Sequence, residues 1–556
     1  MNKKKLYKIV ISLVLAPVLL TCQSVFSQSR GKVSTTSVTA GNTRPNIIFF
    51  LVDDMGSMDV GYQGSQFYET PHIDSFAKHG VVFSNAYAAS HVCSPSRASI
   101  ISGQYPARLH LTDWLPGRKN FPFQKLANAD IVQHLPYEIT TLPEILKQNG
   151  YATAIFGKWH LGEDSLSTQM QGFDIHVPEY NKGWPNGTYF APYNMKGLEG
   201  GHDGEYLTDR LTDEAIKYIE ENKEKPFFLF LSHFAVHDPI EGRPDLVEKY
   251  KRKLKGMNFP DQPPFILEPN PDDSVQLSRK ELNELLIREE YKGFELSPHR
   301  TVKVKQFQDN VQFAAMVESV DESFGRIISE LDKLGLRENT IVIFFSDNGG
   351  MSAANYFKPD RKISPKNLDK AFSTSNLPLR GGKGWLYEGG IREPLIIQWK
   401  GKTPGKGSIC NVSVISTDFY PTIIDLAGIP APANMVLDGM SIAPVLQKPD
   451  TSSKINSRAL FWHFPQYSNH GQQSPGGAVR CGDYKLLEYF ENFQVQLFNL
   501  KQDPGEQHDL SREMPGKVKE LRKMLADWRK KIKANMPYSN PDYNSEYGNE
   551  WRNYKK

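Results

Sequence analysis

The chain has 556 residues, 39% of them hydrophobic and 23% charged, enough for a large core that reads as one big domain with a smaller companion. A formal net charge of +3 excludes the basic field that nucleic-acid binding needs. After the first segment no apolar run reaches about 18 residues, which excludes a membrane span in the mature chain.

In chain order, Lys3, Lys4, Lys5 and Lys8 precede an apolar run at 9–20, and small residues follow. That is the pattern of a secretory signal. Cleavage is expected between Ser27 and Gln28, which makes 1–27 a signal peptide and 28–44, rich in Ser, Thr and Gly, a flexible lead-in. The alternative is an acylated Cys22, with bulky residues standing where small ones are usual. The mature protein is therefore expected to be exported, periplasmic or secreted. It keeps Cys93, Cys410 and Cys481, too few for a disulfide scaffold.

Four apolar runs read as buried strands: 46–52, 151–157, 226–234 and 340–347. Each is short, continuous and rich in Ile, Val or Phe, as a sheet covered on both faces requires. Helical patterns lie between them. Segment 140–150 has Thr141 as N-cap, Glu144 three residues on and Gly150 as a stop. Segments 207–222 and 316–335 carry apolar residues at helical spacing. The alternation predicts an α/β fold.

Ligands in open α/β sheets sit beyond the carboxyl ends of the strands. The first run ends in Asp53-Asp54, the second in Lys158-Trp159-His160 and the fourth in Asp347-Asn348, while the third leads to His237. Asp53, Asp54, Asp347 and Asn348 are all oxygen donors, suited if they converge to Ca²⁺ or Mg²⁺ and not to Zn²⁺. Singly, each pair reads better as turn residues. Lys158, His160 and Lys383 read singly as solvated groups, and His237 as a satisfied loop histidine. Pro95 suits the first turn of a short helix ending near Gly103, which puts Cys93 at a helix N-terminus. Cys93 is then a buried structural cysteine, or a thiolate activated by His91.

Cys93-Ser94-Pro95-Ser96-Arg97 resembles the C-x-P-x-R signature of the type I, formylglycine-dependent sulfatases. Segments 46–56, 157–162, 344–350 and 379–394 resemble further signatures of that family in its order, and the resemblance runs from about residue 44 to about 530. It implies that Cys93 is oxidised to formylglycine by a maturation enzyme and that the hydrated aldehyde is the nucleophile. Asp53, Asp54, Asp347 and Asn348 would hold one Ca²⁺ together with an oxygen of modified Cys93. Arg97 would fix the hydrate, and Lys158 and Lys383 would bind the sulfate oxygens. His160 would orient a hydrate hydroxyl and help break down the sulfated intermediate. His237 would protonate the leaving alcohol, with His233 the weaker candidate.

The implied fold is an alkaline-phosphatase-like α/β domain with a large mixed sheet at 45–450, followed by a small C-terminal domain at 451–556. In the latter, 458–464, 476–490 and 494–500 read as short antiparallel strands and 516–535 as a closing amphipathic helix. Residues 251–308 read as an insertion, a surface excursion or a substrate-shaping lid. Cys410 and Cys481 are expected to be separate buried thiols without a catalytic role. The expected substrate is a sulfated oligo- or polysaccharide, algal or glycosaminoglycan, contacted by His463 and Arg480. Two competing readings are a phosphate- or phosphonate-ester hydrolase of the same superfamily and a non-catalytic glycan-binding protein.

Overall fold

The four apolar runs form the middle of one eight-stranded sheet. The computed structural model describes residues 44–162, 167–273, 276–295, 297–358, 361–449 and 455–547. The expected signal peptide, the lead-in up to residue 43, and the expected boundary between 450 and 451 lie outside these. Asn46–Val52 pairs in parallel with Thr340–Ser346 on one side and Phe227–Ser232 on the other. Ala152–Gly157 extends the sheet beside Phe227–Ser232, followed by Ile175–Val177. On the far side of Thr340–Ser346 lie Leu395–Trp399, Val81–Phe83 and Ser408–Cys410. Leu395–Trp399 runs against its neighbours, so the sheet is mixed.

Every residue of Asn46–Val52 and of Thr340–Ser346 is buried, because helices cover both faces. On one face Phe50 meets Phe324 edge-on, with ring centroids 5.1 Å apart. Phe324 belongs to helix Val311–Lys333. On the other, Phe49 meets Phe419 of helix Phe419–Leu426 at 5.0 Å. The long helix starts before the expected 316, because the Asn310 side chain accepts from the Gln312 and Phe313 N–H groups, each at 3.1 Å, and caps it. Helix Leu142–Gln148 starts at the expected Thr141, whose hydroxyl and backbone N–H exchange bonds with Glu144.

The paired strands end together. Val52 lies beside Ser346 and Leu51 beside Ser232, which in turn lies beside Gly157. Asp53, Asp347, His233 and Lys158 therefore start their loops at one edge. Gly157 has φ +106°, and a Cβ there would fall 2.0 Å from the Ser232 carbonyl oxygen. Only glycine lets the backbone bring the Lys158 N–H to that oxygen, at 2.7 Å.

After 455, Ala459–Phe464, Gly476–Cys481, Tyr484–Tyr489 and Val495–Asn499 form an antiparallel sheet. Helix Pro515–Ile532 closes it with buried Leu521, Leu525, Trp528 and Ile532. Trp528 stacks on Phe461 at 4.8 Å. The 251–308 region contributes a strand pair, Phe265–Glu268 with Val302–Lys305. Its Glu268 accepts from Arg380 Nε at 2.8 Å, so this region braces the segment that leads to Lys383.

Cys410 is buried at the end of Ser408–Cys410, and Cys481 is half-buried at a hairpin turn of the small sheet. Replacing both with Ala is expected to lower the melting temperature and to leave turnover per folded molecule unchanged within about twofold, because neither touches the site. Parallel melting and activity measurements check this. A specific loss of turnover would contradict it.

Candidate active site

Helix Cys93–Ser102 aims its first turn at the shared strand edge, and all of its residues are buried. Arg97, one turn on, bonds through Nε to Asp347 Oδ2 at 2.7 Å and through Nη1 to Ser232 Oγ at 2.6 Å. Its Nη2 lies 3.8 Å from Asp53 Oδ2 and makes no hydrogen bond. Lys158 Nζ pairs with Asp53 Oδ2 at 2.6 Å, and Lys383 Nζ with Asp54 Oδ2 at 2.7 Å. Asp53, Asp54 and Asp347 each offer an oxygen within 4.8 Å of the others.

Such a group of buried acids needs positive charge. Burial alone would raise the Asp54 carboxyl, but Lys383 and His237 reverse that and hold it below the usual carboxylate range. Burial and neighbouring Asp53 push Asp347 up to about 6 despite Arg97. Asp53 Oδ1 and Asn348 Oδ1 are buried without a hydrogen-bond partner among the described residues. Unsatisfied oxygens beside three carboxylates fit a hard cation. Asp54 and His160 both have φ near +60°, a backbone state costing on the order of 1–3 kcal/mol that persists where surroundings fix it.

Cys93 Sγ lies 3.2 Å from His160 Nδ1. His160 Nε2 bonds the Leu115 carbonyl at 2.9 Å, so Nε2 carries the proton and Nδ1 presents its lone pair to position 93. Burial, reinforced by Lys158, pushes the His160 pKa well below its ordinary value and keeps the ring neutral. A Cβ on Gly183 would strike this ring at 2.4 Å, so glycine is what lets the loop close against it. His237 is the opposite case. Burial and Lys383 act against its charge, yet Asp54 at 3.8 Å and Asp238 at 2.8 Å raise its pKa to about 9. His233 points away from the cavity and bonds Ser323 Oγ at 2.9 Å.

Cys93, His160, His237 and Lys383 line the floor of a 660 Å³ cavity. His463 and Arg480, expected to touch substrate, do not line it. His463 lies under the closing helix, with Nε2 2.7 Å from the Asn535 carbonyl and Nδ1 3.2 Å from Arg529 Nε. Arg480 lies over the Tyr87 ring and bonds its hydroxyl, facing a separate polar cleft with Asn85 and Asn411. The two lie on opposite faces of the small sheet, because Arg480 pairs with Leu460 and His463 is an odd number of residues further along that strand. The segment that reaches the cavity is the loop at Ser468–His470. Trp114, Trp184, Phe357 and Asp238 also line it and were not anticipated. Trp114 and Trp184 had one readable signal, an aromatic ring set among Gly and Pro in a loop. No described residue of 251–308 lines the cavity, so the lid alternative finds no support there.

Positive charge fixed around a space open to a tetrahedral anion is what a hydrolase of sulfate or phosphate esters needs. Comparison with known proteins separates the two. The family model described as Sulfatase matches residues 45–429, and one described as N-sulphoglucosamine sulphohydrolase, C-terminal, matches 382–534. A Formosa agariphila protein named Sulfatase is 30% identical over 549 residues, 85% of this chain and 86% of that one. An N-acetylglucosamine-6-O-sulfatase of Bacteroides thetaiotaomicron is 27% identical over 540 residues, 89% of this chain and 88% of that one. The crystal structure of Ps i-CgsB in complex with k-i-k-neocarrahexaose matches with a TM-score of 0.64 at 26% identity, over 87% of this chain and 93% of that one.

The chain belongs to the sulfatase family. It is a sulfuric ester hydrolase with the alkaline-phosphatase-like fold, which sets aside the phosphate-ester and non-catalytic readings.

Proposed function

We propose that this sulfatase removes sulfate from a sulfated carbohydrate, an algal polysaccharide or glycosaminoglycan fragment. In this reading Cys93 is matured to formylglycine by a dedicated enzyme, and Asp53, Asp54, Asp347 and Asn348 hold one Ca²⁺. The observation that carries it is the place of Cys93: on the cavity floor, 3.2 Å from the lone pair of a neutral His160 and one helical turn from Arg97. The carbohydrate reading draws support from relatives named N-acetylglucosamine-6-O-sulfatase and Ulvan-active sulfatase.

The hydrated aldehyde would supply one hydroxyl to attack sulfur and a second to expel sulfate and restore the aldehyde. The cation would neutralise charge on the sulfate oxygens. Arg97, through its unbonded Nη2, fixes the hydrate, while Lys158 and Lys383 share their charge between the acids and the bound sulfate. His160 accepts the hydroxyl proton at Nδ1. His237, charged and anchored through Nδ1 by Asp238, donates from Nε2 to the departing oxygen. None of this requires a membrane, and no described helix is long and apolar enough to cross one.

Export with cleavage after Ser27 belongs to the same proposal, as does the division into 45–450 and 451–556. N-terminal sequencing of the mature protein reads the first point: Gln28 leads if cleavage is as proposed, whereas a blocked Cys22 would indicate an acyl anchor.

The acid role is tested by His237→Ala. A sugar alkoxide leaves poorly, so its sulfate ester should lose about 10²–10⁴ in kcat/KM, while an aryl sulfate, whose phenolate leaves unaided, should lose under about tenfold. Equal losses would count against the role. The pH profile adds a sign. An acid acts when protonated, so turnover of sugar sulfates falls as pH rises through the His237 pKa, at or below about 9 once a cation offsets Asp54. Aryl sulfates should lack that limb.

A further inference from the structure

The cavity volume lies within the range of small-ligand pockets, about 300–1,000 Å³, and its charge is unevenly placed. The cations that line it, Lys383 and His237, are both at the floor and both beside Asp54, at 2.7 and 3.8 Å. Above them the described walls hold one carboxylate, Asp238, one acid, Asp113, whose pKa burial pushes up to about 7, and no further Lys or Arg. Asp238 meets His237 through one oxygen at 2.8 Å, yet its side chain is 43% exposed to the cavity side and solvent. Asp113 is buried and held by the backbone N–H groups of Trp114 and Arg118, at 2.9 and 3.1 Å.

The rest of the wall is apolar. Trp114 and Phe357 meet edge to face at 5.9 Å, and Trp184 stands at 6.4 Å from the His160 ring. Trp184 and Phe357 remain 40% and 38% exposed. Large rings left uncovered at the mouth of a pocket offer a surface for the C–H face of a sugar. A second anion on that sugar would lose its water, find no cation, and face Asp238. Lys182 and Lys358 lie outside the cavity, next in sequence to Trp184's loop glycine and to Phe357. The selection therefore concerns the ring in the cavity and not a following sugar unit.

We propose that the sugar ring bearing the scissile sulfate carries no other anionic group: the pocket takes a neutral monosulfated hexose or N-acetylhexosamine against its aromatic mouth and rejects uronates and disulfated rings. This rests on the sulfated-carbohydrate reading above. The selection is by repulsion as much as by fit.

The test compares kcat/KM for galactose and N-acetylglucosamine monosulfates with that for the disulfate carrying the same ester, and with sulfated uronates, using an aryl sulfate as reference. A monosulfated neutral sugar should be best, with its disulfate and the uronates at least about tenfold lower. In Asp238→Asn the disulfate-to-monosulfate ratio should rise several-fold, whatever happens to the absolute rates through His237. Disulfates or uronates cleaved as well as the neutral monosulfates, or a ratio unmoved by Asp238→Asn, would overturn the proposal. Aryl sulfate turned over while every sugar sulfate is inert would overturn the carbohydrate reading, and this proposal with it.

Discussion

Cys93→Ala is expected to reduce sulfate-ester turnover by roughly 10⁴–10⁶, the scale on which enzymes lose a covalent nucleophile. Folding should survive it. Cys93 is small, its sulfur faces the cavity and its one described polar contact is the 3.2 Å approach to His160. Trimming it opens space into the pocket and leaves no hole in the core, so stability should change by under about 1 kcal/mol. The contrast is Arg97→Ala. That change leaves Asp347 and Asp53 buried without their guanidinium, 2.7 and 3.8 Å away, and should cost about 3–5 kcal/mol as well as activity. Circular dichroism and melting curves on both variants separate the two effects. Substantial activity in Cys93→Ala would sink the proposed mechanism.

Removal of the divalent cation should be the next largest effect. Asp53, Asp54 and Asp347 are mutually close and fully buried, so a cation both relieves their repulsion and neutralises the sulfate. Chelation should lower turnover by about 10²–10³, in line with several kcal/mol of charge stabilisation from a metal acting as Lewis acid. It should also lower the melting temperature, because an ion that binds only the folded chain stabilises it by mass action. Ca²⁺ should restore both. Zn²⁺ should not, since the donors are all oxygen. Elemental analysis is expected to find one divalent cation per chain. Two metals, or turnover indifferent to chelation, would contradict this assignment.

Much of this was legible in the sequence, for a physical reason. A strand buried on both faces reads as a continuous apolar run, and it ends where the chain must reach polar surroundings. Asp53, Lys158 and Asp347 are those end points; each alone reads as a turn or surface group, and their convergence follows from the pairing of the strands they end. The long helix was placed late because periodicity alone does not register a cap, and Asn310 supplies one. Specificity was less legible. His463 and Arg480 looked like candidate contacts because they are polar residues in the right region. Strand alternation turns His463 to the closing helix and Arg480 to Tyr87, and the intervening loop carries His470 to the cavity instead. Nothing local in that loop distinguishes it from an ordinary turn. Asp238 was hidden similarly: beside His237 it reads as part of a turn, and its role emerges only from the 2.8 Å contact.

The central claim, that Cys93 is a precursor and not itself the working group, is tested most directly by the mass of the peptide spanning Cys93 in active, unreduced enzyme. The account predicts a residue in which the thiol has been exchanged for an aldehyde, reactive toward a hydrazide probe and present in proportion to activity across preparations. Fully active enzyme whose peptide carries an unaltered cysteine at position 93 would contradict it.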